Sequence, residues 1–285
     1  MSGQVTDPGR PCVGVTGWRL PAGGAEAVRL AARAGADGVQ LDLGGPGRGE
    51  PLDGPAATGA VREAVAATGV ELLALTANTL NDIGLTAAPG SAAAARARAV
   101  LVRLLDTAEL LGVGQVFVPS FRRSAIGTPA DLARTAAVLG RAAREAEARG
   151  LLLASENALP ADRALELVDR VGSPAFRLLL DTYNLRAAGL DAARWTEATG
   201  PYLADQVHLK DGRDGLPGPP LGAGDGRLED VLAAYARTGP RPRALVLEND
   251  YRDGGPGRLD TDLAWARRAA ARLAARPTRP VKVHR

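Results

Sequence analysis

The chain has 285 residues, a formal net charge of +3 and no block of lysine and arginine, so nothing in it reads as a track for a nucleic-acid backbone. No uninterrupted apolar stretch approaches the roughly 20 residues of a membrane helix, and the opening MSGQVTDPGRPCVG lacks the apolar region of a secretory signal. Cys12 is the sole cysteine, which rules out an intrachain disulfide and makes the expected location a reducing cytoplasm.

Short β-branched or leucine-rich runs alternate with longer alanine-rich segments, the pattern of βαβ units on a parallel sheet. The first strand is expected at 13–17, and the helix after it ends at Gly35. A second strand follows at 38–43, then a Gly/Pro-rich loop at 44–54. A third strand spans 71–77. A helix over 91–111, starting after Pro89 and Gly90, buries Leu101, Leu104, Leu105 and Ala108. The fourth strand, 115–120, leads to a helix over 128–149. There Thr128 is suited to the N-cap, Pro129 to the first helical position and Asp131 to the first turn. Leu132, Ala136, Leu139, Ala143 and Ala146 form its apolar stripe, and Gly150 stops it.

Strands five to eight are expected at 151–157, 177–182, 206–211 and 244–249. A second Gly/Pro-rich loop, 212–226, follows the seventh, and a helix over about 260–275 closes the series. Eight strands, with one helix between each pair, predict a single-domain α/β fold, a (β/α)8 TIM barrel of typically about 250 residues. The domain is expected to take in 1–285, with flexible ends at 1–11 and 276–285. A doubly wound open sheet is the fold alternative, but no GxGxxG opens a helix after the first strand.

Active sites of such barrels lie at the C-terminal ends of the strands. The last four strands end in Glu156, Asp181, His208 and Glu248. Adjacent strands are about 4.8 Å apart, so these groups form an arc that could converge on one ion. Three carboxylates and an imidazole suit one divalent metal ion, Mn2+, Mg2+ or Co2+, and Zn2+ also fits. Composition supports the same face. Lysine occurs only at 210 and 282, and all five asparagines (Asn78, Asn81, Asn157, Asn184 and Asn249) follow strands three, five, six and eight. Taken singly, each carboxylate could be a helix cap, His208 a satisfied core group and Lys210 a solvated lysine. Trp18 reads equally as a pocket wall or a plain loop or core aromatic, and Tyr183 could wall the same pocket.

The segments ASEN, LLLDTYN, VHLKDGR and VLEND, in that order and spacing, resemble the xylose-isomerase-like barrel superfamily. Within it they are most similar to the sugar (phosphate) isomerase/epimerase group, with its ketose 3-epimerases and inosose isomerases and dehydratases. The resemblance implies that Glu156, Asp181, His208 and Glu248 are metal ligands. It implies that Glu156 and Glu248 are also the catalytic acid/base pair, and that Arg213 contacts substrate. Lys210 and Asp211 fit the HLKD pattern of the inosose-processing branch. Asn184 stands where ketose epimerases place a substrate-contacting histidine, a departure that leaves the sugar unnamed.

The expected activity is a divalent-metal-dependent isomerase or epimerase of a sugar or cyclitol. A proton next to a carbonyl would leave through a metal-stabilised enediolate. Lys210, Arg213, Asn184, Trp18 and Asn78 are the expected substrate-binding residues. An inosose-type dehydratase using the same site is the alternative. Further readings are a non-catalytic sugar-binding barrel and an abasic-site endonuclease, the last needing more histidines than this chain has. The expected partner is a small polyol or sugar, with no nucleic acid and no membrane. A homo-oligomer, common among related enzymes, is left open.

Overall fold

The computed structural model describes residues 9–253 and 257–275. Of the ends expected to be flexible, only Gly9, Arg10 and Pro11 fall within the described residues. Eight parallel strands close into a barrel: β1 (Cys12–Thr16), β2 (Gly38–Asp42), β3 (Glu71–Thr76), β4 (Gln115–Pro119), β5 (Leu152–Glu156), β6 (Phe176–Asp181), β7 (Leu203–Leu209) and β10 (Ala244–Leu247). Each pairs with its sequence neighbour in the barrel, and β1 pairs with β10 to shut it. The expected (β/α)8 architecture is thus the one observed. Two short strands, β8 (Gly212–Arg213) and β9 (Leu216–Pro217), form an antiparallel ribbon inside the loop after β7.

The helices that cover the barrel are α1 (Gly24–Arg33), α2 (Pro55–Thr68), α4 (Ala92–Leu111), α5 (Pro129–Ala148), α6 (Ala161–Val171), α8 (Ala192–Thr199), α9 (Leu228–Thr238) and α10 (Arg258–Ala274). Single turns, α3 (Leu80–Ile83) and α7 (Asn184–Ala187), sit in the loops after β3 and β6. Helix α5 starts where its sequence chemistry dictates. Thr128 accepts the N–H of Asp131 at 3.1 Å, and Asp131 accepts the N–H of Thr128 at 3.0 Å, a reciprocal capping box. Its stripe of Leu132, Ala136, Leu139, Ala143 and Ala146 is buried against the barrel, and Gly150 ends the segment at φ +69°.

Side chains alternate across each strand, so one set packs under the helices and the other fills the barrel. Phe117, Ala74, Ala154, Leu179 and Ala204 form one interior cluster, and Leu73, Ala244 and Val246 another near the opposite end. The interior also holds three fully buried polar side chains, Gln40, Gln206 and His208. Register places the chemistry at one rim. Glu156 ends β5 beside Pro119 of β4, Asp181 ends β6 directly opposite His208 of β7, and Glu248 follows the last residue of β10.

Candidate metal centre and active site

Glu156, Asp181, His208 and Glu248 each present a ligand atom within 4.8 Å of those of the other three, and all four residues are buried. Asp181 accepts the backbone N–H groups of Tyr183 (2.8 Å) and Asn184 (2.6 Å) through Oδ1. Its Oδ2 is buried and faces the Lys210 ammonium. Glu156 Oε1 accepts the Asn184 amide at 2.6 Å. Glu248 Oε1 accepts Trp18 Nε1 at 3.3 Å, and its Oε2 lies 3.1 Å from His208 Nδ1. Glu156 Oε2 lies 3.9 Å from the same nitrogen. The Lys210 ammonium contacts Asp181 Oδ2 at 3.2 Å and Glu248 Oε2 at 3.0 Å.

Electrostatics pushes the carboxylates apart. Burial, with Glu248 close by, raises Glu156 to about 8. Burial also raises Asp181. Burial alone would raise Glu248 too, but Lys210 and His208 outweigh it and hold that carboxyl well below its usual range. For Lys210 the burial cost is overcome by Asp181 and Glu248, which keep it charged. The set of three carboxylates and one imidazole nitrogen fits a divalent cation with oxygen and nitrogen ligands.

The cluster opens into a cavity of about 530 Å3. Trp18, Asn78, Asn184, Lys210, Glu156 and Glu248, all expected from the sequence, line it. Trp18 packs on Phe117 with ring centroids 5.8 Å apart, and Phe117 stands edge-on to His208 at 5.1 Å. Asn78 holds the Asp42 carboxylate, donating through Nδ2 at 2.9 Å. Arg213 is placed elsewhere. The β8–β9 ribbon turns it outward, its guanidinium donates to the Ala223 carbonyl at 2.7 Å, and it does not line the cavity. Tyr183 is also set back, its hydroxyl accepting the Gly215 N–H at 3.1 Å.

Several contributors are not foreshadowed by the strand-end pattern. Arg19, Arg48, Arg122 and Arg252 line the mouth. Arg48 is spent on Asp82, with two contacts of 2.9 Å, and Arg252 on Asp250. Arg19 is less committed: its Nε is buried without an acceptor, and its terminal nitrogen is 3.8 Å from Glu248. Asp211 proves architectural. Its carboxylate collects the backbone N–H groups of Gly212, Gly222, Gly224 and Gly226 at 2.9–3.1 Å and so ties up loop 212–226. Asn249 is architectural too, donating to Asp262 at 2.9 Å.

Among known proteins, the family described as Xylose isomerase-like TIM barrel matches residues 28–269. A protein named 2-epi-5-epi-valiolone 7-phosphate 2-epimerase, from Actinoplanes sp., is 57% identical over 260 residues, covering 90% of this chain and 94% of that protein. Among solved structures, a xylose isomerase domain protein from Planctomyces limnophilus superposes with a TM-score of 0.73 at 19% identity, over 93% of this chain and 97% of that one. A structure titled L-ribulose 3-epimerase gives 0.71 at 19% identity, over 95% and 100%. The last two likenesses speak to the fold, while the family match spans most of the chain. The chain belongs to the xylose isomerase-like TIM barrel family.

Proposed function

We propose that this chain is a divalent-metal-dependent epimerase of a phosphorylated sugar or cyclitol, acting at a carbon next to a carbonyl. The observation that carries the reading is the pairing of Glu156 and Glu248 across one buried cluster. Two carboxylates so placed suit one to take a proton and the other to give one. The 57% identical relative, named for epimerising carbon 2 of a ketone phosphate, supports the same class of reaction.

Glu156, Asp181, His208 and Glu248 would hold the ion, and Mn2+, Mg2+ or Co2+ suits them, with Zn2+ also fitting. The ion would supply Lewis acidity to the substrate carbonyl, making the neighbouring C–H more acidic. Glu248, kept ionised by Lys210 and His208, removes that proton in one direction. Glu156, ionised while it holds the ion, would relay a solvent-derived proton to the other face. Asn184 orients Glu156, while Lys210 and Arg19 offer donors to substrate oxygens, Arg19 being the better placed for a phosphate at the mouth. Trp18 and Phe117 keep water from one side. A reducing cytoplasm suits the half-buried free Cys12, and no helix among the described residues is long and apolar enough to cross a membrane.

The test is NMR of metal-loaded protein with a panel of ketose and cyclitol phosphates in D2O. We expect one deuterium at the epimerised carbon with no loss of water. Glu156→Gln and Glu248→Gln should each abolish net epimerisation. Loss of water would make the enzyme a dehydratase. Absence of exchange across the panel, or equal exchange in both variants and the parent, would overturn the catalytic reading.

A further inference from the structure

Beneath the cluster, the interior of the barrel contains a chain of side-chain hydrogen bonds whose direction is fixed at its far end. Gln206 Nε2 lies 2.8 Å from the Leu73 carbonyl oxygen of β3. Gln206 Oε1 lies 2.8 Å from Gln40 Nε2. Gln40 Oε1 lies 2.8 Å from His208 Nε2. All three side chains are fully buried, so no solvent can substitute for a missing partner.

A backbone carbonyl can only accept, so Gln206 must turn its NH2 group towards Leu73. The Arg243 guanidinium, which also donates to that carbonyl at 2.9 Å, closes its remaining capacity. Gln206 then has only its carbonyl oxygen to offer Gln40, and Gln40 must meet it with its own NH2. Gln40 is left presenting an oxygen to His208, whose Nε2 must therefore carry a proton. Any flip along the chain would set two donors or two acceptors face to face in a buried site, where an unmet polar group is costly. The other ring nitrogen, Nδ1, is the one that faces Glu248 and Glu156.

We infer that Gln40 and Gln206 are positioning residues that lock His208 in the Nε2–H form and reserve Nδ1 for the metal. The inference rests on the reading of His208 as a ligand. It assigns to two mid-strand glutamines, remote from the cavity, control over the donor set above them. Partners that orient a ligating histidine in this way typically change metal affinity by about 10- to 100-fold when removed. The bland reading is that the three amide and imidazole groups merely satisfy one another in the core. That reading predicts a change in stability with no particular effect on the metal site.

The chain has only two histidines, which makes the test direct. Imidazole 15N-labelled protein is examined by long-range 1H–15N NMR, metal-free and with Zn2+. Nε2 of His208 should be protonated in both states, with Nδ1 showing the ligated shift once Zn2+ is added. A ligated or unprotonated Nε2 in either state overturns the inference. In parallel, Mn2+ affinity is measured by calorimetry for Gln40→Leu, Gln206→Leu and Gln40→Glu. The two leucine variants should bind about 10- to 100-fold more weakly. Gln40→Glu, which keeps an acceptor for Nε2–H, should bind within a few-fold of the parent. Unchanged affinity in both leucine variants, or equal loss in all three, overturns it. Gln206→Leu leaves His208's own contact in place, so the inference stays testable if Gln40→Leu does not fold. A parent protein that binds no divalent ion would defeat the metal reading, whereas the metal-free spectrum would still judge the amide chain separately.

Discussion

Asn184 Nδ2 lies 2.6 Å from Glu156 Oε1, while Asn184 Oδ1 accepts Lys210 Nζ at 3.2 Å, so one amide bridges the acid of the proposed pair to the cation that holds the base ionised. A hydrogen bond to a charged group contributes about 1.5–3 kcal/mol. Asn184→Ala should therefore lower kcat/KM about 10- to 100-fold, with a smaller effect on metal affinity. Asn184→Asp should be worse still, because it sets a like charge against Glu156. Steady-state kinetics alongside calorimetric metal titration would check both; an unimpaired Ala variant would remove Asn184 from the machinery.

Metal binding should release protons. A ligating carboxyl must be ionised, and in the metal-free protein Glu156 is raised to about 8 by burial and the nearby Glu248. Below that value the ion must displace the proton, so affinity should rise with pH from about 6 and flatten above about 8. Calorimetry in buffers of different ionisation enthalpy reads the proton count directly. Affinity that falls across this range would mean that Glu156 is not a ligand.

Arg19 should discriminate phosphorylated from unphosphorylated substrates. Its Nε is buried without an acceptor and its tip is 3.8 Å from Glu248. Arg19→Leu is expected to raise KM for a phosphorylated substrate by about 10- to 100-fold, the worth of one or two charge-assisted contacts. The dephosphorylated analogue should suffer less. Equal losses for both would place Arg19 in service of Glu248 alone.

Asp211→Ala should unfasten loop 212–226. Four glycine N–H groups converge on that one carboxylate, and a Cβ at Gly224 would overlap both the Gly212 carbonyl oxygen and Asp211 Oδ1. Loss of such a buried network costs about 3 kcal/mol. Thermal melts should show the loss, and hydrogen exchange should localise it to 212–226. An unchanged exchange pattern would refute the role.

The barrel was legible because its strands are leucine- and valine-rich runs between amphipathic helices, a pattern that survives without tertiary information. The four candidate ligands are legible for a related reason: each sits at or beside a strand end, and strand ends share one rim. Arg213 stands outside the cavity because a two-residue ribbon, too short to show periodicity, reverses the chain just there. Gln40 and Gln206 are not legible as interior groups, because a polar residue inside GVQLDL, or opening QVHL, looks like an outward position on a half-exposed strand. Only closure of the barrel brings β2, β3 and β7 to one interior point. Arg19 was hidden among 33 arginines that use much of the surface.

The four guanidinium groups around the mouth bear on traffic as well as on recognition. Arg48 and Arg252 keep their acidic partners, so the pull on an anionic substrate at the mouth rests chiefly on Arg19, and salt screens it over about 8–10 Å. Proton transfer between a buried carboxylate and the substrate carbon lies beyond the reach of that screening. Rising ionic strength would then slow the arrival of a dianionic substrate while leaving its turnover, once bound, nearly untouched.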